Sequence, residues 1–164
     1  GLVGSEMCIR DRSGIYFSPI DSEKISSFNK LFQQLSKGAN SGQSTIDILG
    51  RKIAFEDSAN DIIHFSADVI FNSPRSSSDY IELSREFHTI FISNLNVIDE
   101  EDTARRFIAF IDECYDRNVK VIFLSNPLPH EIYTGKRLAD KFQRTLSRLT
   151  EMQSNDYLQG RHKG

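Results

Sequence analysis

The sequence predicts an α/β fold: a βαβ unit with parallel strands near 88–95 and 119–125, a β-hairpin region before it and a closing helix after it. Three observations carry the prediction. HTIFISNL (88–95) and KVIFLSNP (120–127) are continuous apolar runs of the length expected for strands covered on both faces. Between them, DEEDTARRFIAFIDECYDRN sets Ala104, Phe107, Ile108, Ile111, Cys114 and Tyr115 on one helical stripe, with four acids where the helix dipole favours them. Strand, helix and strand in that order make a right-handed crossover between parallel strands. TIDIL and KIAFE flank a turn at Gly50, which is the pattern of a hairpin.

The elements follow in order. Residues 1–12, GLVGSEMCIRDR, show neither periodicity nor a cap, read as a non-native leader of adapter-derived sequence, and are set aside. On that reading the natural protein begins upstream, and 13–164 is a fragment of it. IYFSP (15–19) is a strand end closed by proline. Asp21 or Ser22 then caps a helix whose core positions are Ile25, Phe28, Leu31, Phe32 and Leu35, ending near Gly38. After the loop KGANSGQS come the hairpin and DIIHF as a third strand, a short helical turn from Ser66, and a serine-capped helix in SSSDYIELSREF. PHEIY is a further turn, and Leu138, Phe142, Leu146 and Leu149 form the core face of the closing helix.

Composition excludes several classes of function. At 164 residues the chain suits one domain, and a net charge of -3 gives no reason to expect a nucleic-acid partner. No apolar run has the roughly 20 residues of a membrane span, and the chain reads as cytoplasmic. Cys8 and Cys114 offer neither a disulfide framework nor a metal cluster. His64, His88, His130 and His162 lack the spacing of metal ligands or of a nucleophile's base. Asp112 and Glu113 point about 100 degrees apart on a helix, so they cannot act as a catalytic pair.

Ser93-Asn94 and Ser125-Asn126 fall where strands end, and open parallel sheets bind ligands at that edge. Asn94 and Asn126 are therefore candidate nucleotide contacts; capping the next turn is the competing use. KGANSGQST has glycines but not the spacing or lysine of G-x-x-x-x-G-K-[ST], so these residues contain no phosphate loop. Arg105 and Arg106 are candidates for reaching phosphate on a neighbouring subunit, against an ordinary Asp102–Arg106 helical pair. KRLADKFQRTLSRLTEMQ (136–153) sets Arg137, Lys141, Arg144 and Arg148 on one helical face, partly offset by Asp140 and Glu151. A solvated face is the simple explanation, but arginine suits bidentate phosphate contact, so Arg144 and Arg148 outrank Lys141.

From about Ser13 onward the sequence resembles the C-terminal part of the ZapE cell-division ATPases and their mitochondrial relatives, the lactation-elevated-protein ATPases. DYIELSREFHTIFI, ARRFIAFIDECYDRNVKVIF, EIYTGKRL and FQRTLSRLTEMQSNDYL carry the resemblance, in that order. It implies the C-terminal part of a P-loop NTPase-like fold, with the phosphate loop and first sensor upstream of residue 13. It also implies that His88 to Asn126 is a degenerate second copy of the upstream metal-acid-to-sensor passage. On that resemblance many relatives carry aspartate where this chain has Asn94, and Asn126 would be the counterpart of a sensor asparagine rather than the sensor itself. The implied cofactors are ATP and Mg2+, bound mostly upstream. The implied role is in cell division or protein quality control. It brings a protein partner such as a cell-division component, peripheral membrane association and a homo-oligomer. A non-catalytic module that docks a partner through its basic helix is the alternative.

Overall fold

A computed structural model describes residues 15–164; the leader 1–12 and Cys8 lie outside the described residues. In chain order the elements are β1 (Tyr16–Phe17), α1 (Ser22–Ser36), β2 (Ser44–Ile48), β3 (Arg51–Phe55), β4 (Asp57–Ala59), β5 (Ile62–Ser66), α2 (Ala67–Phe71), α3 (Ser77–Glu86), β6 (Thr89–Leu95), α4 (Glu101–Asp116), β7 (Lys120–Ser125), a 3-10 turn (Pro129–Glu131), α5 (Ala139–Glu151) and α6 (Asn155–Gln159). The main sheet runs β1-β7-β6-β5-β4, parallel throughout except for antiparallel β4, and β2 and β3 form a separate antiparallel hairpin.

The apolar runs determine the layering. Alternate residues of a strand face opposite sides of the sheet. The cross-strand line His64, Phe91, Ile122 therefore faces one way, and the line Phe65, Ile92, Phe123 faces the other. Helix α1 covers the first face: Phe28 and Phe32 meet the Phe91 ring at centroid distances of 5.3 and 5.0 Å. Helix α4 covers the second, with Phe107 6.0 Å from Phe123 and 5.2 Å from Phe71 of α2. α5 packs outside α4 through Phe142, whose ring stacks 6.0 Å from Phe107. Each fully buried phenylalanine stabilises by about 1.5–3 kcal/mol, so this aromatic column does more for the fold than the exposed ion pairs.

Start and stop signals act as local chemistry requires. The Asp21 carboxylate accepts from the Lys24 amide, and the helix ends with left-handed Lys37 at its C-cap, one residue before Gly38. Ser76 and Asp79 form a capping box on α3. Asp79 is fully buried, and Arg51 reaches it at 3.2 Å, tying the hairpin to the body of the domain. The other Asp79 oxygen has no hydrogen-bond partner among the described residues.

Three expectations need correcting. DIIHF does not extend the hairpin; as β5 it joins the main sheet beside β6, because both of its faces are apolar and need covering. β4, too short for a sequence pattern, lies at that sheet's edge. Ile25, placed on the core stripe, is 40% exposed. The basic helix is not the last element: α6 follows, and its Tyr157 hydroxyl lies 3.0 Å from the Cys114 carbonyl and 2.6 Å from that of Val119. Burial pushes both the Tyr157 hydroxyl and the Cys114 thiol up, which keeps the thiol protonated and inert.

The hairpin turn is locally strained. Leu49 has φ +52° and Gly50 φ +81°, the two left-handed positions of a two-residue turn. Glycine adopts that backbone freely, whereas leucine there costs roughly 1–2 kcal/mol. Leu49 is 55% exposed, so it contributes little burial in return. Leu49→Asn is expected to raise unfolding stability by about 1 kcal/mol, measured by urea titration with an unchanged slope; equal or lower stability would show that Leu49 makes a compensating contact.

Candidate functional site

The carboxyl ends of β1, β7, β6 and β5 lie along one edge of the sheet. From β1 the chain passes to α1 on one face, and from β7 to α5, which packs with α4 on the other. Such a divergence opens a crevice where parallel sheets usually bind ligands. Here side chains close it. Asn126 Nδ2 donates to Asn96 Oδ1 at 2.6 Å, Ile20 N donates to Asn126 Oδ1 at 3.2 Å, and Ser18 Oγ donates to the Asn126 carbonyl at 3.0 Å. Below it, the Tyr16 hydroxyl lies 2.8 Å from Ser125 Oγ and 2.7 Å from the Pro127 carbonyl; burial pushes its pKa up to about 12. Asn126 thus performs the turn-fastening role.

One strand further along, the edge is open. Asn94 sits at φ +58° where the β6–β7 register shifts between Ile92 and Leu95. Asparagine tolerates that conformation. Its side chain is exposed and has no partner among the described residues. The shift opens a cavity of about 430 Å³ between α2, the 94–100 loop and the start of α4. Phe71, Leu95 and Ile98 contribute apolar lining, while Asp68, Asp99, Glu100 and Asp102 bring negative charge.

The candidate arginines do not converge there. Arg105 pairs with Glu101 at 3.7 Å and Asp102 at 3.5 Å, so it and not Arg106 takes the helical ion pair. Arg106 lines the cavity, but its Nη1 donates to the Phe71 carbonyl at 3.0 Å. The four cations do not share one helix: Arg137 lies in the turn before α5, which begins only at Ala139, and the rest of the basic face is divided. Arg137 reaches Glu101 at 3.4 Å, and Arg148 pairs with Asp112 while lying 5.1 Å from the Tyr115 ring. Arg144 and Lys141 are exposed, and neither side chain has a partner among the described residues. Glu151, expected to offset the stripe, instead accepts from the Tyr115 hydroxyl at 2.5 Å.

This edge does not fit ATP and Mg2+. A triphosphate would meet four carboxylates and one guanidinium already held by a carbonyl. The described residues also contain no group of three or more His, Cys, Asp or Glu able to hold a metal ion. Asn96, Thr103 and Asp112 matter here and carry no sequence signal. Each sits in a polar helix or loop segment, and only the pairing of distant elements gives it a role.

The pattern for an AFG1-like ATPase matches residues 9–161. Escherichia coli (strain K12) has a similar protein, cell division protein ZapE, 39% identical over 150 residues, which are 90% of this chain and 40% of that protein. Lactation elevated protein 1 homolog B of Danio rerio is 26% identical over 179 residues, covering 87% of this chain and 36% of that protein. The chain thus spans less than half of the relatives it matches. No solved structure matches it.

His64 supplies a pH test of the sheet that carries this edge. Its Nε2 lies 2.8 Å from Ser93 Oγ, the Phe28 ring is 5.1 Å away, and burial lowers its pKa from 6.5 to about 4. His88 is lowered by the same cause. Protonation therefore favours the unfolded chain. Stability is full above pH 6.5 and is expected to fall as pH drops towards about 4, by at most about 3 kcal/mol from His64. Denaturant midpoints measured across that window should flatten in His64→Gln; an unaltered slope would assign the dependence elsewhere.

Proposed function

The chain belongs to the AFG1-like ATPase family, and from that premise we propose that the intact protein binds and hydrolyses ATP with Mg2+ in a P-loop part N-terminal to residue 13. Residues 13–164 then form its C-terminal module. The observation that carries this reading is that family membership extends over a region whose strand ends offer no phosphate cradle: Asn126 is committed to Asn96 and Ile20, and the neighbouring cavity is acidic. The ZapE relative is longer than this chain, which leaves room for a separate nucleotide site. That relative's name motivates a role in cell division; the cytoplasm as its place and a protein partner as its target are parts of the same proposal. Among the described residues no helix is long and apolar enough to cross a membrane.

Within the module, Arg144 is the arginine of the basic stripe that remains exposed without a partner. It is the proposed contact for phosphate across a subunit boundary. Arg148, held by Asp112 and lying over Tyr115, has a structural role, and Arg105 and Arg106 are tethered within α4 and to α2. A second reading rests on the same exposed face: Lys141 and Arg144 dock an acidic partner without touching phosphate.

Two measurements test this. The purified 164-residue chain is expected to show no ATP turnover above background, whereas the full-length protein turns over ATP; hydrolysis by the chain alone would overturn the assignment. In the full-length protein, Arg144→Ala is expected to lower turnover at least about tenfold, as removal of a phosphate-directed arginine does, with an unchanged melting temperature. Arg148→Ala should instead lower stability by about 1 kcal/mol. Normal turnover in Arg144→Ala with loss of partner binding would favour the docking reading.

A further inference from the structure

We propose that the cavity at the carboxyl end of β6 is a binding site for a guanidinium on an aliphatic stem, such as an arginine side chain. The groups facing it that have no partner among the described residues are the Asp99 and Glu100 carboxylates, the Asn94 amide and the Thr103 hydroxyl. Thr103 is the informative one. It is only 7% exposed, it lines the cavity, and its hydroxyl makes no hydrogen bond among the described residues. The hydroxyl is not sealed in protein either, because the enclosed, unpaired side-chain oxygen among the described residues belongs to Asp79. As part of a cavity-lining side chain it is within reach of a ligand there.

Complementing the dipole of α4 accounts for acids in its first turn, Glu101 and Asp102. It does not account for a hydroxyl without a protein partner on a side chain that lines the cavity, nor for an asparagine held in the left-handed region beside it. The N-cap, Glu100, makes no side-chain capping hydrogen bond, so its carboxylate is not used by the helix itself. Four acceptor groups at one mouth suit a guanidinium, with its five donors in a planar fork, better than a three-donor ammonium. The apolar surface of Phe71, Leu95 and Ile98 suits the methylene stem. Arg106 does not oppose this, since its Nη1 is held by the Phe71 carbonyl and four lining carboxylates outnumber its single positive charge. The cavity volume of about 430 Å³ admits such a group.

The test uses amide chemical shifts of the 164-residue chain without nucleotide, so it stands apart from the ATPase proposal. The probes are agmatine, a blocked glycine-rich pentapeptide with central arginine, and the same peptide with citrulline. The arginine peptide or agmatine is expected to shift the amides of residues 94–103 saturably at millimolar ligand or below, and citrulline is not. Binding of both cationic probes points to a free guanidino compound as well as a side chain; binding of the peptide alone points to a protein partner. Asp99→Asn with Glu100→Gln should weaken binding at least about tenfold, as charge-assisted hydrogen bonds are lost. Thr103→Val should weaken it several-fold with an unchanged melting temperature. Equal binding of citrulline and arginine, full binding by the double variant, or no saturable shift from any probe would overturn the proposal.

Discussion

The fold depends on one constraint: β6 must be covered on both faces. Six of its seven residues are buried, including Phe91 on one side and Ile90 and Ile92 on the other. A sheet with one wet face cannot accept such a strand, because every second side chain would lie in water. Helix α1 therefore has to cross one face and α4 the other, and the chain reaches α1 only because β1 enters beside β7 at the far edge. The aromatic contacts of Phe28 and Phe32 with Phe91, and of Phe107 with Phe123, are the outcome of that requirement.

The same arrangement gives the carboxyl edge two different ends. Between β1 and β7 the divergence of the chain leaves a crevice, but short polar side chains fasten it: Asn126 binds both Asn96 and the start of α1. Beside β6, next to the register shift at Asn94, lies a cavity that the described residues leave unfilled. The charges around that opening are acidic, which separates it from the triphosphate chemistry expected of the family. A nucleotide site in the intact protein and a guanidinium site here would involve different surfaces and opposite charges.

How much of this was legible in the sequence depends on the range of the interaction. The buried strands, the α4 stripe, a cap at Asp21 or Ser22 and a serine cap on α3 arise within a few residues and were readable there; that Asp21 is the α1 cap and that Asp79 completes a capping box came from the structure. Cross-chain relations were not. Arg148 and Arg144 read as equivalent until α5 packed on α4 and set Arg148 against Asp112 and Tyr115; Arg144, four residues earlier, has no partner among the described residues. Asn94 and Asn126 looked like a matched pair of strand-end residues, yet one is tied into a hydrogen-bond network and the other is open.

The sequence by itself determined the α/β class, the parallel pairing of the two apolar runs and, through several specific strings, the ATPase family. These follow from local periodicity and residue order, which a linear chain records directly. Only the tertiary structure decided that β5 leaves the hairpin for the main sheet, that Asn126 closes one crevice, and that Thr103 is left with an unbonded hydroxyl at another. The physical reason is that a polar group's role is set by which distant partner satisfies it, and that partner is chosen by packing rather than by sequence neighbours.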